Sequence, residues 1–154
     1  MLTNKNLPAF RPDESTMTES ELEDLFRRAA SQHRAATERA LADLDLTPAQ
    51  YAVLCAVSEA PGISAAEVAR LERLTPPTMS VIVANLLRKN ALAKRAHPEN
   101  ARVQQLTVTE LGAELLSEGE ARMKAPQRRI LASLPDGAEA SVTQWLRAIA
   151  ESSP

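Results

Sequence analysis

Cysteine occurs once in this chain, at Cys55, and glycine only four times in 154 residues. A single cysteine excludes an intrachain disulfide and a clustered cysteine metal site, which agrees with a reducing compartment and leaves only a bond between chains. Few glycines, with alanine and leucine dominating and 44% of residues hydrophobic, favour a mainly α-helical protein over a sheet or a disordered tail. Long apolar runs are missing too. No stretch approaches the roughly 18 uninterrupted apolar residues of a membrane span, and the N-terminus has no basic segment leading into an apolar run. The expected location is therefore cytoplasmic, with no membrane partner. There is no glycine-rich phosphate loop, no metal-ligand spacing and no nucleophile set beside a histidine in a recognisable context, and the two histidines, His33 and His97, lie far apart in sequence. An enzyme, a bound metal and a cofactor are not expected. The length suits one domain able to bury a core without staples.

Charge is unevenly distributed. The net charge is -2, but from Arg73 to Gln104 six basic residues (Arg73, Arg88, Lys89, Lys94, Arg95, Arg102) face one acid, Glu99. That stretch carries +5 and the remainder -7. A local basic segment in an acidic chain is the pattern a nucleic-acid contact requires.

Helix-start signals divide the chain. Residues 1–15 hold two prolines and no helical period, and read as a flexible arm. Thr18 and Glu21 form a capping box, followed by apolar residues at helical spacing that predict a helix to about Asp43. Thr47 to Gln50 forms a second box with Pro48 at the first helical position, opening a helix that ends near Glu59 before Pro61-Gly62. Ser64 and Glu67 open a short helix to about Leu71. Thr75 caps a fourth, whose Met79, Ile82, Val83, Leu86 and Leu87 form one apolar stripe. Leu92 to Ala96 and Val103 to Val108 then read as strands around the turn His97-Pro98-Glu99-Asn100, a β-hairpin wing. Thr109 caps a helix running to about Ala132, which Pro126 should kink or split, and a last helix starts near Asp136. No internal repeat is visible.

In their order, several segments strongly resemble the MarR (multiple-antibiotic-resistance regulator) family. They are Leu46-Thr47-Pro48-Ala49-Gln50-Tyr51-Ala52-Val53-Leu54, Glu67-Val68-Ala69, Leu74-Thr75-Pro76-Pro77-Thr78-Met79-Ser80, Lys94-Arg95, His97-Pro98-Glu99-Asn100-Ala101-Arg102 and Leu106 to Gly112. The resemblance covers roughly residues 18 to 150. It implies a winged helix-turn-helix lobe over residues 46–108, with residues 16–45 and 109–154 as dimerisation helices. It further implies a homodimer on double-stranded DNA and often a small effector between lobe and dimer domain. Val81, Asn90 and Asn100 stand where the family usually has arginine, glycine and aspartate.

In the fourth helix, Pro76, Pro77, Thr78, Ser80, Val81, Asn85 and Arg88 fall off the apolar stripe and are available to a major groove. A solvated face would show the same pattern, but a first turn of small residues without an acid favours the groove, and its free N–H groups would suit phosphate. Arg102 is expected in the minor groove from the wing tip, the bland reading being a surface arginine paired with Glu99. Lys94 and Arg95 suit phosphate or a solvated strand edge. Arg88 and Lys89 suit phosphate or simply favour a helix C-terminus.

Leu22, Phe26, Leu41, Val142, Trp145 and Ile149 lie on terminal helices too apolar for one small lobe to cover, which points to a dimer interface. Cys55 reads first as a small core residue. His33 reads as a histidine at that interface or as one wall of a pocket with Tyr51. If an effector exists, the resemblance implies a small aromatic acid near His33, Arg34, Tyr51 and Cys55. Two functions stay open: a dimeric regulator, of repressor type, on an inverted-repeat operator, and a winged-helix interaction module that does not bind DNA. The basic wing favours the first.

Overall fold

The computed structural model describes residues 17–97 and 100–151, with side chains for all of these except 97 and 100–103. The elements follow in the order α1 (Glu19–Leu41), a 3-10 turn (Ala42–Leu44), α2 (Pro48–Glu59), α3 (Ala65–Leu71) and α4 (Pro76–Arg88). The hairpin β1 (Leu92–His97) and β2 (Asn100–Val108) comes next, then α5 (Glu110–Leu131) and α6 (Glu139–Glu151). The fold is mainly helical with a two-stranded antiparallel wing.

Each of the five expected caps is in place. Thr18, Thr47 and Ser64 accept from the backbone N–H three residues on, while Glu21, Gln50 and Glu67 reach back to the cap backbone. Thr75 accepts from Thr78 N, and Thr109 from Gly112 N. These bonds satisfy donors that a helix start leaves open, which fixes where each helix begins.

The chain ends helices with little help from glycine. Asp45, Arg73 and Asn90 adopt left-handed backbone with φ of 53°, 50° and 56°. After α4, Ala91 N donates to Leu86 O and Asn90 N to Leu87 O, and after α3, Leu74 N donates to Ala69 O and Arg73 N to Arg70 O. Both are Schellman turns, in which the left-handed residue lets the last carbonyls find partners. Asn90 thus does the work of the glycine it replaces, asparagine being among the side chains that best tolerate this conformation.

Beneath these turns lies one core. Leu41, Val53, Leu54, Val57, Val68, Leu86 and Leu106 are fully buried, joined by Met79, Ile82, Val83, Leu92 and Met123. Burying each large side chain contributes about 1.5 to 3 kcal/mol. The α2–α3 connection zips onto the wing, with Gly62 N donating to Leu106 O and Leu106 N to Ile63 O, both at 2.9 Å. The wing is therefore anchored to the helical lobe at its base.

Five expectations change. The first helix stops at Leu41 rather than Asp43, because the chain tightens into a 3-10 turn ending in left-handed Asp45. The hairpin strands extend to His97 and start at Asn100, so both are longer than the turn residues suggested. Pro126 lies inside one continuous α5, so of the expected kink or split the split does not occur, and α6 begins at Glu139 rather than near Asp136. Leu41 is a core residue of its own chain with no surface left for a partner, because the end of α1 tucks against the lobe. The arm 1–15 lies outside the described residues.

Candidate nucleic-acid interface

The α4 helix has two different faces. Met79, Ile82, Val83 and Leu86 bed it on the core, while Pro76, Pro77, Thr78, Ser80, Val81 and Arg88 are exposed. Val81, in the second turn, is 60% exposed. No acidic side chain occurs between Thr75 and Arg88, so a phosphate backbone approaching this face meets no repulsion from the helix itself.

Local bonding narrows what each residue offers. Thr75 and Thr78 hydroxyls lie 2.8 Å apart, and Ser80 donates its hydroxyl to Pro76 O at 2.9 Å. Asn85 is only half-exposed and its side-chain oxygen accepts from Arg88 at 2.6 Å. The expected free N–H groups at the start of α4 are not there. Prolines at the first two positions have none, Thr78 N–H is held by Thr75 Oγ1, and Met79 N bonds Thr75 O. Any phosphate contact here must come from hydroxyls rather than from the helix N-terminus.

Lys94 and Arg95 are exposed on β1, opposite Leu106 and Gln105. The side chain of Arg102, proposed for the minor groove, lies outside the described side chains, as does that of His97. Lys89 is engaged elsewhere. Its ammonium pairs with Asp45 Oδ2 at 2.9 Å. Sequence reasoning missed this partner, which is 44 residues away and follows no local spacing.

The residues proposed for an effector separate into two groups. Tyr51 and Cys55 are both half-exposed and lie one turn apart on α2. Burial, with Cys55 and Glu120 nearby, pushes the Tyr51 phenol up to about 12, and burial also raises the Cys55 thiol. His33 and Arg34 are exposed on α1, where Arg34 pairs with Glu38 at 2.9 Å.

On the terminal helices, Leu22, Phe26, Trp145 and Ile149 remain exposed and Val142 is half-buried. Phe26 and Trp145 meet edge to face with ring centroids 6.1 Å apart, so α6 lies beside α1. No helix among the described residues is long and apolar enough to cross a membrane.

The MarR family model matches residues 46–103, the stretch from the start of α2 through the wing. Over 110 residues the chain is 33% identical to the HTH-type transcriptional repressor Rv2887 of Mycobacterium tuberculosis, covering 71% of this chain and 79% of that protein. The chain belongs to the MarR family. The crystal structure of the M. tuberculosis MarR family protein Rv2887 in complex with p-aminosalicylic acid superposes with a TM-score of 0.66 at 28% identity, covering 84% of this chain and 98% of that one. BpsR of Bordetella bronchiseptica shares the MarR fold with a TM-score of 0.79 at 24% identity, over 90% of this chain and 100% of its own. Membership decides between the two functions left open. The protein is a DNA-binding winged helix-turn-helix transcription regulator of MarR type, not an enzyme.

Proposed function

We propose that this MarR-type regulator is a homodimeric repressor that sets two α4 helices into successive major grooves of an inverted-repeat operator. A small aromatic acid releases it. The observation that carries the DNA mode is the outer face of α4: small, exposed, free of acids, and carrying an exposed Val81 over a buried apolar stripe. A helix bedded in this way presents its N-terminal half to base edges, and a dyad places the second copy about one helical turn along the duplex.

Dimerisation is supported by Leu22, Phe26, Ile130, Leu131, Trp145, Leu146 and Ile149, all exposed on α1, the end of α5 and α6. So many large apolar side chains on neighbouring helices call for a second surface. Repression and the aromatic acid follow the relative Rv2887, named as a repressor and crystallised with p-aminosalicylic acid. In this chain Tyr51 and Cys55 on α2 would form one wall of such a site and His33 and Arg34 on α1 the other, with Arg34 supplying charge. The exposed Arg34–Glu38 pair is of a kind worth little, so an incoming carboxylate can replace Glu38.

Selection of duplex fragments from a random pool, followed by footprinting, tests the DNA mode. An operator with dyad symmetry is expected, and protection without a dyad overturns the two-lobe reading. Phenolic and aminobenzoic acids should then lower operator affinity and raise the unfolding temperature. A panel that does neither removes the effector.

A further inference from the structure

The apolar stripe holds α4 along its length, but its last turn is held from behind. Lys89 caps the C-terminus of α4 with a side chain only 24% exposed, and its ammonium lies 2.9 Å from Asp45 Oδ2. The same ammonium also donates to the backbone carbonyl of Asp45. Asp45 closes the turn after α1 in left-handed backbone, and its carboxyl is held below the usual carboxylate range by the Lys89 hydrogen bond and charge. Two residues earlier, Asp43 accepts from Arg122 of α5 at 2.9 Å. The short turn between α1 and α2 is thus tied on one side to the DNA-reading helix and on the other to α5.

We propose that Asp45 and Lys89 form a clamp that fixes the angle at which α4 enters the groove, so that Asp45 is a positioning residue for operator recognition. This rests on the reading that α4 occupies the major groove. Packing of the apolar stripe sets which face of α4 points inward and its crossing angle only to within about 15–20°, so a tie at the end of the helix can set the remaining tilt. Base-edge hydrogen bonds demand tight placement, whereas phosphate contacts carry no sequence information. Loosening the end of α4 therefore costs operator binding more than random DNA binding. Stability is not the purpose of the clamp, since an ion pair with so exposed a carboxylate contributes little to it.

The clamp gives Asp45→Asn a sign opposite to simple electrostatics. Removing an acid from a protein that binds a polyanion should tighten all DNA binding. If Asp45 positions α4, the same change weakens operator binding. Asparagine also tolerates the left-handed conformation, so the backbone is spared. The full chain and the variants Asp45→Asn, Lys89→Gln and the double would be titrated with the selected operator and a scrambled duplex across a salt series, with thermal unfolding as the fold control. Asp45→Asn should weaken operator binding about 3- to 10-fold, a range typical of residues that act without touching the ligand. Scrambled-duplex affinity should hold or rise slightly with the lost acid, the salt slopes should stay the same, and the double variant should lose no more than either single one. The clamp is overturned if Asp45→Asn leaves operator binding unchanged or tighter, or weakens both duplexes equally. It is also overturned if Lys89→Gln lowers the salt slope by about 0.9, the mark of one lost phosphate contact. Failure of the wild type to bind any selected duplex would instead overturn the groove reading beneath it.

Discussion

Gly119 of α5 lies against the ring of Tyr51 on α2, so close that a Cβ on it would stand 2.3 Å from Tyr51 Cε2. The two helices approach at this point only because a side chain is missing. Gly119→Ala must push the ring aside or part the helices, at about 1 to 3 kcal/mol for overpacking. The better helix propensity of alanine returns about 1 kcal/mol. Gly112 is more constrained, since its Cβ would meet the Ala91 carbonyl oxygen at 2.1 Å, and backbone cannot swing away as a ring can. Thermal unfolding should therefore rank wild type above Gly119→Ala and Gly119→Ala above Gly112→Ala. The reverse order for the two variants would show that the helices adjust more easily than the ring.

Tyr51 is the only tyrosine in the chain, so its ionisation can be followed by absorbance without ambiguity. Its phenol is raised from 10.0 to about 12, chiefly by burial. A folded-state value above the unfolded one contributes stability that is fully present below pH 10 and lost as pH rises through about 12. Phenolate absorbance should accordingly lag behind that of free tyrosine until the protein unfolds, and denaturant midpoints should fall between these two pH values. Cys55, also raised by burial, should alkylate more slowly than a free thiol at neutral pH. A phenol titrating near 10 in the folded state would mean that the α2–α5 contact is open in solution.

What could be read from the sequence follows the range of the interactions concerned. Every cap was legible because a cap is a pattern of three or four residues, and the two unlike faces of α4 followed from its period. Non-local partners were not legible: nothing in the sequence near Lys89 names Asp45, and nothing near Leu41 says that the chain's own lobe will bury it. The missing N–H groups at the start of α4 were legible in principle, since Pro76 and Pro77 carry none, but the general affinity of helix N-termini for phosphate hid the exception. Asn90 shows the converse, a departure from the family's usual residue that the observed φ of 56° makes intelligible.

The exposed apolar surface on α6 gives a test of the dimer. Leu146 is 48% exposed and lies beside Trp145, the only tryptophan. Leu146→Glu places a charge where a partner helix is proposed, and burying an unpaired carboxylate costs several kcal/mol. Sedimentation of the variant should show monomer or loss of fold at micromolar concentration, with operator binding abolished and tryptophan emission shifted to the red. A folded Leu146→Glu dimer that still binds operator would place the interface elsewhere.

Val81 and Arg102 should fail in different ways on DNA, because the proposed docking gives Val81 an apolar contact in the major groove and Arg102 a cationic one at the wing. Val81 has no charge to set against phosphate, yet its 60% exposure leaves its methyls free to pack on a thymine methyl, a contact that carries sequence information. Val81→Ala should relax preference at one base position and leave the salt slope alone. Val81→Arg restores the family's usual side chain and adds a phosphate contact, so it should tighten operator and scrambled duplex alike. Arg102→Ala removes the cation proposed for the minor groove, and should cost about 1 to 3 kcal/mol and about one unit of salt slope, most of all where the flanks are A·T-rich. One salt titration of the three variants on both duplexes separates these outcomes. An Arg102→Ala protein with unchanged affinity and slope would mean that the wing is off the DNA, and α4 would then have to carry recognition alone.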